Sequence, residues 1–263
     1  MSRLPAIMLA TVALAACATT GEGAGGGQSA AEAARAPRTV DRDARERIGR
    51  EELLTQMAFW AGEYQTFPND LEAAQRFADA LRRGGRADRA AQIAGEALGR
   101  FPEDRQLLLT YGLAQIAAQR PQEAARALAI VAQAEPENVR VRSALGVSLD
   151  QLGRYVEARQ AYQQALDLRP DDPAVLTNLG VSHLMSGDPE QAEPVLRRAI
   201  ALPGAPPQAM QNLSIAIALQ GRFEEAEQLE RSYLPANVAA ENISYLRSLL
   251  SDPRRWDDLG GAS

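Results

Sequence analysis

The chain has 263 residues, 46% of them hydrophobic but only 5% aromatic, and a net charge of −6, a balance that suits helices packed through small side chains. An acidic chain without a basic cluster lacks the positive surface that neutralises phosphates, which excludes nucleic acid as a partner. With one cysteine and one histidine, the chain can form neither an internal disulfide, nor an HExxH site, nor the cysteine and histidine spacings of zinc sites.

Residues 1–16 have the layout of a secretory signal peptide. A positive charge in MSR precedes LPAIMLATVALAA, an apolar run of thirteen residues that is too short to span a bilayer. The run leads into LAAC, from Leu14 to Cys17, which resembles the lipobox of bacterial lipoproteins. The resemblance implies cleavage before Cys17, lipidation of this residue and a stable anchor. Among Gram-negative lipoproteins, Ala18 in place of aspartate favours the outer membrane. An ordinary signal peptide followed by an incidental cysteine is the alternative.

Two further segments precede the regular part of the chain. Residues 17–43 are rich in glycine and alanine, and this composition predicts a flexible tether because it cannot bury a core. Residues 44–70 predict an N-terminal helix or half repeat, since large side chains follow helical spacing. These side chains are Leu53, Met57, Trp60 and Tyr64.

Four similar junctions recur along the chain at a fixed interval. FPND, FPED, EPEN and RPDD end at residues 70, 104, 138 and 172, so each step is 34 residues. The proline prevents the preceding helix from continuing. The Asp or Asn two residues later can accept hydrogen bonds from the free N–H groups of the next helix. The interval predicts blocks 71–104, 105–138, 139–172 and 173–206, with a weaker fifth block from residue 207.

Within each block the pattern predicts two helices in close contact. Position 7 carries Phe77, Tyr111, Leu145, Leu179 and Leu213; position 8 carries Ala78, Gly112, Gly146, Gly180 and Ser214; position 20 carries Ala90, Ala124, Ala158, Ala192 and Ala226. We expect the small residue at position 8 to let the second helix approach, and the alanine at position 20 to provide the matching flat surface.

Glycine turns separate the two helices of most blocks, where the first helix needs a left-handed residue at its C-terminus. These glycines are Gly85, Gly153, Gly187 and Gly221. The second block departs from the pattern, because Gln119, Arg120 and Pro121 replace the glycine turn. In the fourth block, Asp188 begins DPEQ, which has the layout of a capping box.

A helix–turn–helix of 34 residues with this pattern resembles the tetratricopeptide repeat (TPR). The resemblance covers residues 71–234 and implies about five TPR units, stacked into a right-handed superhelix in which each repeat packs only on its neighbours. Residues 235–258 predict a C-terminal capping helix and tail. The expected fold is therefore all-α: a TPR superhelical solenoid of antiparallel helix pairs.

No catalytic constellation is found in the sequence. The glycines lie in the tether and the turns, not in a phosphate-binding loop. A Ser–His–Asp arrangement would have to use His183, which stands at position 11 of its block, where a packed core side chain is expected. Glu224 and Glu225 lie at the start of a helix, where carboxylates are favourable as solvated charges. We expect no enzyme, no cofactor and no metal site.

In TPR proteins the first helix of each pair lines the concave side, mostly through positions 2, 5, 9, 12 and 13. The resemblance therefore implies a partner-binding groove formed by Leu109, Leu113, Ile116, Arg140, Ser143, Val147, Asp150, Thr177, Val181, Leu184, Met185, Gln208, Gln211 and Ile215. An apolar groove with polar edges suits an amphipathic helix or an extended segment. The alternative is that about half of the apolar side chains pack between neighbouring helices. Asn178 and Asn212 match the asparagine position of the clamp that binds chaperone C-termini, but its lysines are missing, which excludes that use.

The chain also resembles the TPR lipoproteins of the tight-adherence (Tad) Flp pilus assembly system. The resemblance lies in the lipobox, the number of repeats, and the stretch NLSIAIALQGRFEEAEQLERSYLPANVAAENISYLRSLL followed by Trp256. It implies a pilotin-like scaffold that is lipid-anchored in the outer membrane and faces the periplasm, with a secretin or another pilus assembly subunit in the groove. A periplasmic adaptor for peptidases or peptidoglycan enzymes is the alternative, and a component of the β-barrel assembly machinery is less favoured.

Overall fold

The computed structural model describes residues 40–251. Contacts divide the chain into one unit of residues 1–41 and a second from Arg42 onward, and the following concerns the second unit. The expectations for the signal peptide, for Cys17, for most of the tether and for Trp256 fall outside the described residues. Between residues 40 and 251 every regular element is a helix, so the prediction of an all-α solenoid is confirmed.

The helices follow one another as a short N-terminal hairpin, five pairs and a last helix. The hairpin consists of α1 (Arg42–Ile48) and α2 (Leu53–Thr66). The pairs are α3 (Leu71–Arg83) with α4 (Ala87–Leu98), α5 (Arg105–Ala117) with α6 (Pro121–Ala134), α7 (Val139–Gln151) with α8 (Tyr155–Leu168), α9 (Pro173–Met185) with α10 (Pro189–Ile200), and α11 (Pro207–Leu219) with α12 (Phe223–Arg231). The last helix is α13 (Ala236–Ser251).

The junction acids and amide act as helix caps, as their spacing predicts. Side-chain oxygens of Asp70, Asp104, Asn138 and Asp172 accept hydrogen bonds from backbone N–H groups in the first turns of α3, α5, α7 and α9. Each cap satisfies N–H groups that have no partner within the helix. The next first helix, α11, begins after Pro206 without such a cap.

The capping box predicted at Asp188 forms only in part. Its side chain accepts a hydrogen bond from the Gln191 N–H at 3.4 Å. The Asp188 N–H instead donates to the His183 carbonyl at 2.9 Å. The Asp188 N–H is therefore engaged in the turn that ends α9. In a complete capping box it would donate to the side chain of Gln191.

The turns between paired helices share one backbone conformation. Gly85, Gly153, Gly187 and Gly221 have φ between 70° and 81°, in the left-handed region. Gln119 takes the same place in the second pair with φ of 57°. The second pair therefore lacks the glycine but keeps the same left-handed turn.

The glycines at position 8 make close contacts within a pair, and their nearest neighbours are side chains at position 24 of the second helix rather than the alanines at position 20. A methyl group on Gly146 would lie 2.5 Å from Tyr162 Cε1, and one on Gly112 would lie 2.6 Å from Leu128 Cγ. Gly180 meets Leu196 in the same way. These partners stand at position 24. The alanines at position 20 are fully buried, but the glycines make room for a large side chain one turn further along the second helix.

First helices of neighbouring pairs also pack on one another. α3 contacts α5, α5 contacts α7, α7 contacts α9, and α9 contacts α11, whereas no comparable contact joins successive second helices within residues 40–251. α13 packs on α12 and on α11, so it follows the last pair as a further first helix would. The first helices therefore share one face of the solenoid. Among the described residues, no helix combines the length and the apolar character needed to cross a bilayer.

Candidate functional site

A groove between α5, α7 and α9 lies on the shared face. Its volume is about 720 Å³. It is lined by Leu113, Ile116, Glu137, Asn138, Val139, Arg140, Ser143, Ala144, Val147, Arg169, Asp172, Ala174, Val175 and Asn178. Three consecutive first helices and the two junctions before α7 and α9 thus form one surface.

Five of the residues expected to bind a partner meet in this groove. Leu113 and Ile116 come from α5, and Arg140, Ser143 and Val147 come from α7. The 34-residue step places equivalent side chains of successive helices next to each other, which is why residues so far apart in sequence converge.

An apolar row at position 9 continues beyond the groove. Leu113, Val147, Val181 and Ile215 occupy this position in four successive first helices, and each is half-buried. With helix axes 8–10 Å apart, the row is about 24–30 Å long. That length matches about eight residues of an extended segment or about eighteen residues of a helix.

The structure corrects the expectation for three residues, because their side chains are buried. Leu109 belongs to the same buried cluster as Leu128 and Val141. Thr177 is 5% exposed, and its hydroxyl donates to the Pro173 carbonyl one turn earlier in α9. Neither side chain offers a partner more than a small fraction of its surface.

Asp150 is the third buried residue, and it links three helices. Its carboxylate accepts hydrogen bonds from the Tyr162 hydroxyl of α8 at 2.8 Å and from the Ser182 hydroxyl of α9 at 2.7 Å. Burial raises the pKa of Asp150, although both hydrogen bonds and the charge of Arg159 act in the opposite direction. Asp150 therefore stabilises the contact between repeats and does not face a partner.

The remaining predicted residues lie toward the C-terminal end. Met185, Gln208 and Gln211 are exposed, and Val181, Leu184 and Ile215 are half-buried. Leu184 packs against the cluster around Leu196, as the alternative of packing between helices proposes. Gln211 and Ile215 line a second cleft of about 280 Å³ beside α13.

Polar groups lie along the edge of the groove. Arg140 is exposed and forms no ion pair within residues 40–251, whereas Arg169 pairs with Asp172 at 2.8 Å. Asn178 donates to the Ser143 hydroxyl at 3.1 Å, which joins α9 to α7 across the groove. Arg169, Val175 and the junction residues were absent from the prediction, which considered only positions within the first helices.

His183 does not form a catalytic arrangement with the groups around it. Its Nδ1 lies 3.9 Å from Asp188 Oδ2, and partial burial with the charge of Arg159 lowers its pKa. The hydroxyl of Ser186 donates to the His183 carbonyl, not to its ring. Within the described part of the chain, no group of three or more histidine, cysteine, aspartate or glutamate side chains could hold a metal ion.

An all-α solenoid of helix pairs with a groove along its first helices is suited to a protein-interaction scaffold. Residues 76–129 and 109–173 match one family model of the tetratricopeptide repeat, and residues 149–207 match a second. Together these matches extend over residues 76–207, half of the chain, so the chain belongs to the tetratricopeptide-repeat family. Repeats of this family typically bind proteins and do not catalyse reactions, and no catalytic family is indicated. No curated protein matches the chain in sequence.

Solved structures with the same fold include MamA proteins. MamA AMB-1 is 28% identical, with 61% of this chain and 94% of that one covered and a TM-score of 0.52. MamA 41-end from Desulfovibrio magneticus RS-1 is 21% identical, with 61% and 92% covered and a TM-score of 0.56. A tetratricopeptide repeat protein from Parabacteroides merdae ATCC 43184 is 16% identical, with 80% and 81% covered and a TM-score of 0.59. The last two likenesses concern the fold alone.

Proposed function

We propose that this protein is a lipid-anchored scaffold of the outer membrane that assembles the Flp/Tad pilus secretion machinery. The observation that carries the proposal is the groove between α5, α7 and α9, with the apolar row that extends it to α11. The LAAC sequence at Cys17 and the resemblance of the C-terminal stretch to Tad lipoproteins support the location and the system.

In this proposal the groove binds one segment of a secretin or of another assembly subunit. The row of Leu113, Val147, Val181 and Ile215 contacts the apolar face of that segment, while Arg140 and Asn178 contact its polar edge. Polar contacts at the edge fix the register of the segment, and burial of the apolar row supplies the binding free energy. Lipid on Cys17 holds the complex at the outer membrane, as a pilotin does.

The proposal is tested in a deletion strain in which outer membranes are probed for heat-resistant secretin multimers and cells are probed for surface pili. We expect both to be lost and to be restored by the wild type. Cys17→Ala should fail because the scaffold is no longer anchored. Val147→Arg should fail because a charge then stands in the apolar row.

Val156→Arg is the matched control, since Val156 is 63% exposed on the second helix α8 of the same pair. We expect this variant to restore both multimers and pili. Normal multimers and normal pili in the deletion strain would contradict the pilus role. Such a result would favour the adaptor for peptidases or peptidoglycan enzymes, which co-purification of a hydrolase would then identify.

A further inference from the structure

The last helix pair departs from the others at the contact between its helices. In three pairs, position 8 is glycine and position 24 is a large side chain, as in Gly146 with Tyr162. In the last pair these positions are Ser214 and Glu230. Glu230 is only 5% exposed, and Ser214 is fully buried. A carboxylate thus stands where the three preceding pairs pack a leucine or a tyrosine.

Glu230 has hydrogen bonds but no cation to balance its charge. Its Oε1 accepts from the Ser214 hydroxyl at 2.8 Å, and its Oε2 accepts from Asn242 Nδ2 at 2.9 Å. An ionised carboxylate accepts about four hydrogen bonds, so about two remain to be made. No arginine among residues 40–251 lies within 4.0 Å of it, and the neighbouring Arg231 pairs with Glu227 instead. Burial of an unpaired charge is unfavourable, and packing alone would favour leucine here.

Glu230 lines the cleft beside α13. The cleft is formed by Gln211, Ile215, Glu230, Tyr233, Leu234, Asn242, Tyr245 and Leu246. The Tyr233 hydroxyl is buried and has no hydrogen-bond partner in the described part of the chain. Burial and the charge of Glu230 raise the pKa of Tyr233 to about 12, so the hydroxyl remains protonated at neutral pH. Tyr245 is 57% exposed at the rim.

We propose that this cleft binds a lysine or arginine side chain of a protein partner. The cationic group pairs with Glu230 and with the Tyr233 hydroxyl oxygen at the bottom of the cleft. The aliphatic stem of the side chain lies along Ile215, Leu234 and Leu246. The ring of Tyr245 lies at the entrance, where it can contact the cation or the stem.

This inference rests on the proposed function, since the cleft lies on the same face as the groove. Ile215 is the last member of the apolar row and also lines the cleft. A segment that follows the row toward α13 therefore meets Glu230. The partner is thus expected to carry a basic residue close to one end of its apolar face.

The test is a titration of the purified full-length chain with n-butylammonium and n-propylguanidinium, which represent the two side chains without a peptide. Backbone amide resonances of Ser214, Glu230 and Asn242 report on the cleft. We expect saturable shifts in the wild type. Affinity should fall at least tenfold in Glu230→Gln, which keeps the shape of the side chain and removes its charge. Glu241→Gln, an exposed change on α13, should bind the probes as the wild type does.

n-Butanol is the neutral counterpart of n-butylammonium, and it should bind at least tenfold more weakly. The proposal is overturned if neither cationic probe shifts these resonances, if Glu230→Gln retains the wild-type affinity, or if n-butanol binds as well as the amine. An unchanged amide spectrum outside the cleft shows that Glu230→Gln has folded. Failure here leaves the groove unaffected, because the Val147→Arg variant tests the proposed function at a different place.

Discussion

At the scale of single residues, the contact between paired helices is set by two side chains that compensate for each other in size. Gly146 makes room for Tyr162, and Gly112 makes room for Leu128. Where position 8 is Ala78, position 24 is the small Ala94. A large side chain at position 24 thus accompanies glycine at position 8, as close packing requires.

Gly146→Ala is expected to destabilise the protein by about 2 kcal/mol, since overpacking of a tight core contact costs about 1–3 kcal/mol. The new methyl group would lie 2.5 Å from Tyr162 Cε1. Gly62→Ala in α2 is the control, because a methyl group there has no neighbour within 4 Å. This control should be neutral or more stable, since alanine favours helices. Urea unfolding of both variants checks the prediction, and equal effects would contradict it.

Asp150 makes stability depend on pH with a sign that follows from its raised pKa. The folded state holds the proton more tightly than the unfolded state. Its contribution to stability is therefore complete below the unfolded pKa of about 3.9 and is lost as the pH rises through the folded pKa. Asparagine at this position can still form hydrogen bonds with the Tyr162 and Ser182 hydroxyls, but its side chain does not ionise.

We therefore expect Asp150→Asn to gain stability relative to the wild type as the pH rises from about 4 to about 7. Thermal unfolding of both proteins across this range measures the difference. The other titrating groups are common to the two proteins, so their contributions cancel in the difference. A difference that stays constant or falls with pH would contradict the assignment.

At the scale of elements, Arg45 links the N-terminal helix α1 to α2 and α3. Arg45 is buried and lies 2.6 Å from Glu63 Oε2, 3.0 Å from Asp70 Oδ2 and 3.0 Å from Glu72 Oε2. Its guanidinium also lies 5.4 Å from the centre of the Trp60 ring. Asp70 thus joins two elements, since its other oxygen caps α3. These contacts raise the pKa of Arg45 even though burial acts in the opposite direction.

Arg45→Met is expected to release α1 while the pairs from α3 onward stay folded. The variant leaves partly buried carboxylates without their cation. We expect the free energy of local unfolding of α1 to fall by about 2 kcal/mol, which is less than for a fully buried ion pair. Hydrogen exchange of residues 42–48 measures it. Arg47→Met, an exposed change on the same helix, should leave exchange unchanged. Slow exchange in Arg45→Met would show that α1 is held in another way.

The N-termini of α3, α5, α7 and α9 could be predicted from the sequence, because each is capped by a side chain directly before it. The caps at Asp70, Asp104, Asn138 and Asp172 depend only on residues next to them in sequence. Contacts between helices were harder to predict, because the sequence does not show which residue of the second helix faces position 8. A comparison of position 24 across the blocks would have singled out Glu230, because it is charged whereas the residues at this position in the other four blocks are not. These residues are Ala94, Leu128, Tyr162 and Leu196.

At the scale of the whole molecule, each pair packs mainly on its neighbours, which is typical of repeat proteins. The 34-residue step therefore fixes both the fold and the row formed by Leu113, Val147, Val181 and Ile215. The step does not determine which side chains at the other positions reach solvent. Asp150 lies between helices, and its burial is tolerated because the hydroxyls of Tyr162 and Ser182, on two other helices, donate to it.

The central claim is that the groove on the first helices binds the protein partner. It is tested by replacing Arg140, which lines the groove, or Val156 with a photo-crosslinking amino acid in the protein expressed in cells. Both residues are exposed in the same helix pair, but Val156 lies on α8, which contributes nothing to the groove. We expect a crosslinked secretin or pilus assembly subunit at position 140 and none at position 156. Crosslinks at position 156 alone, or at neither position, would contradict the account.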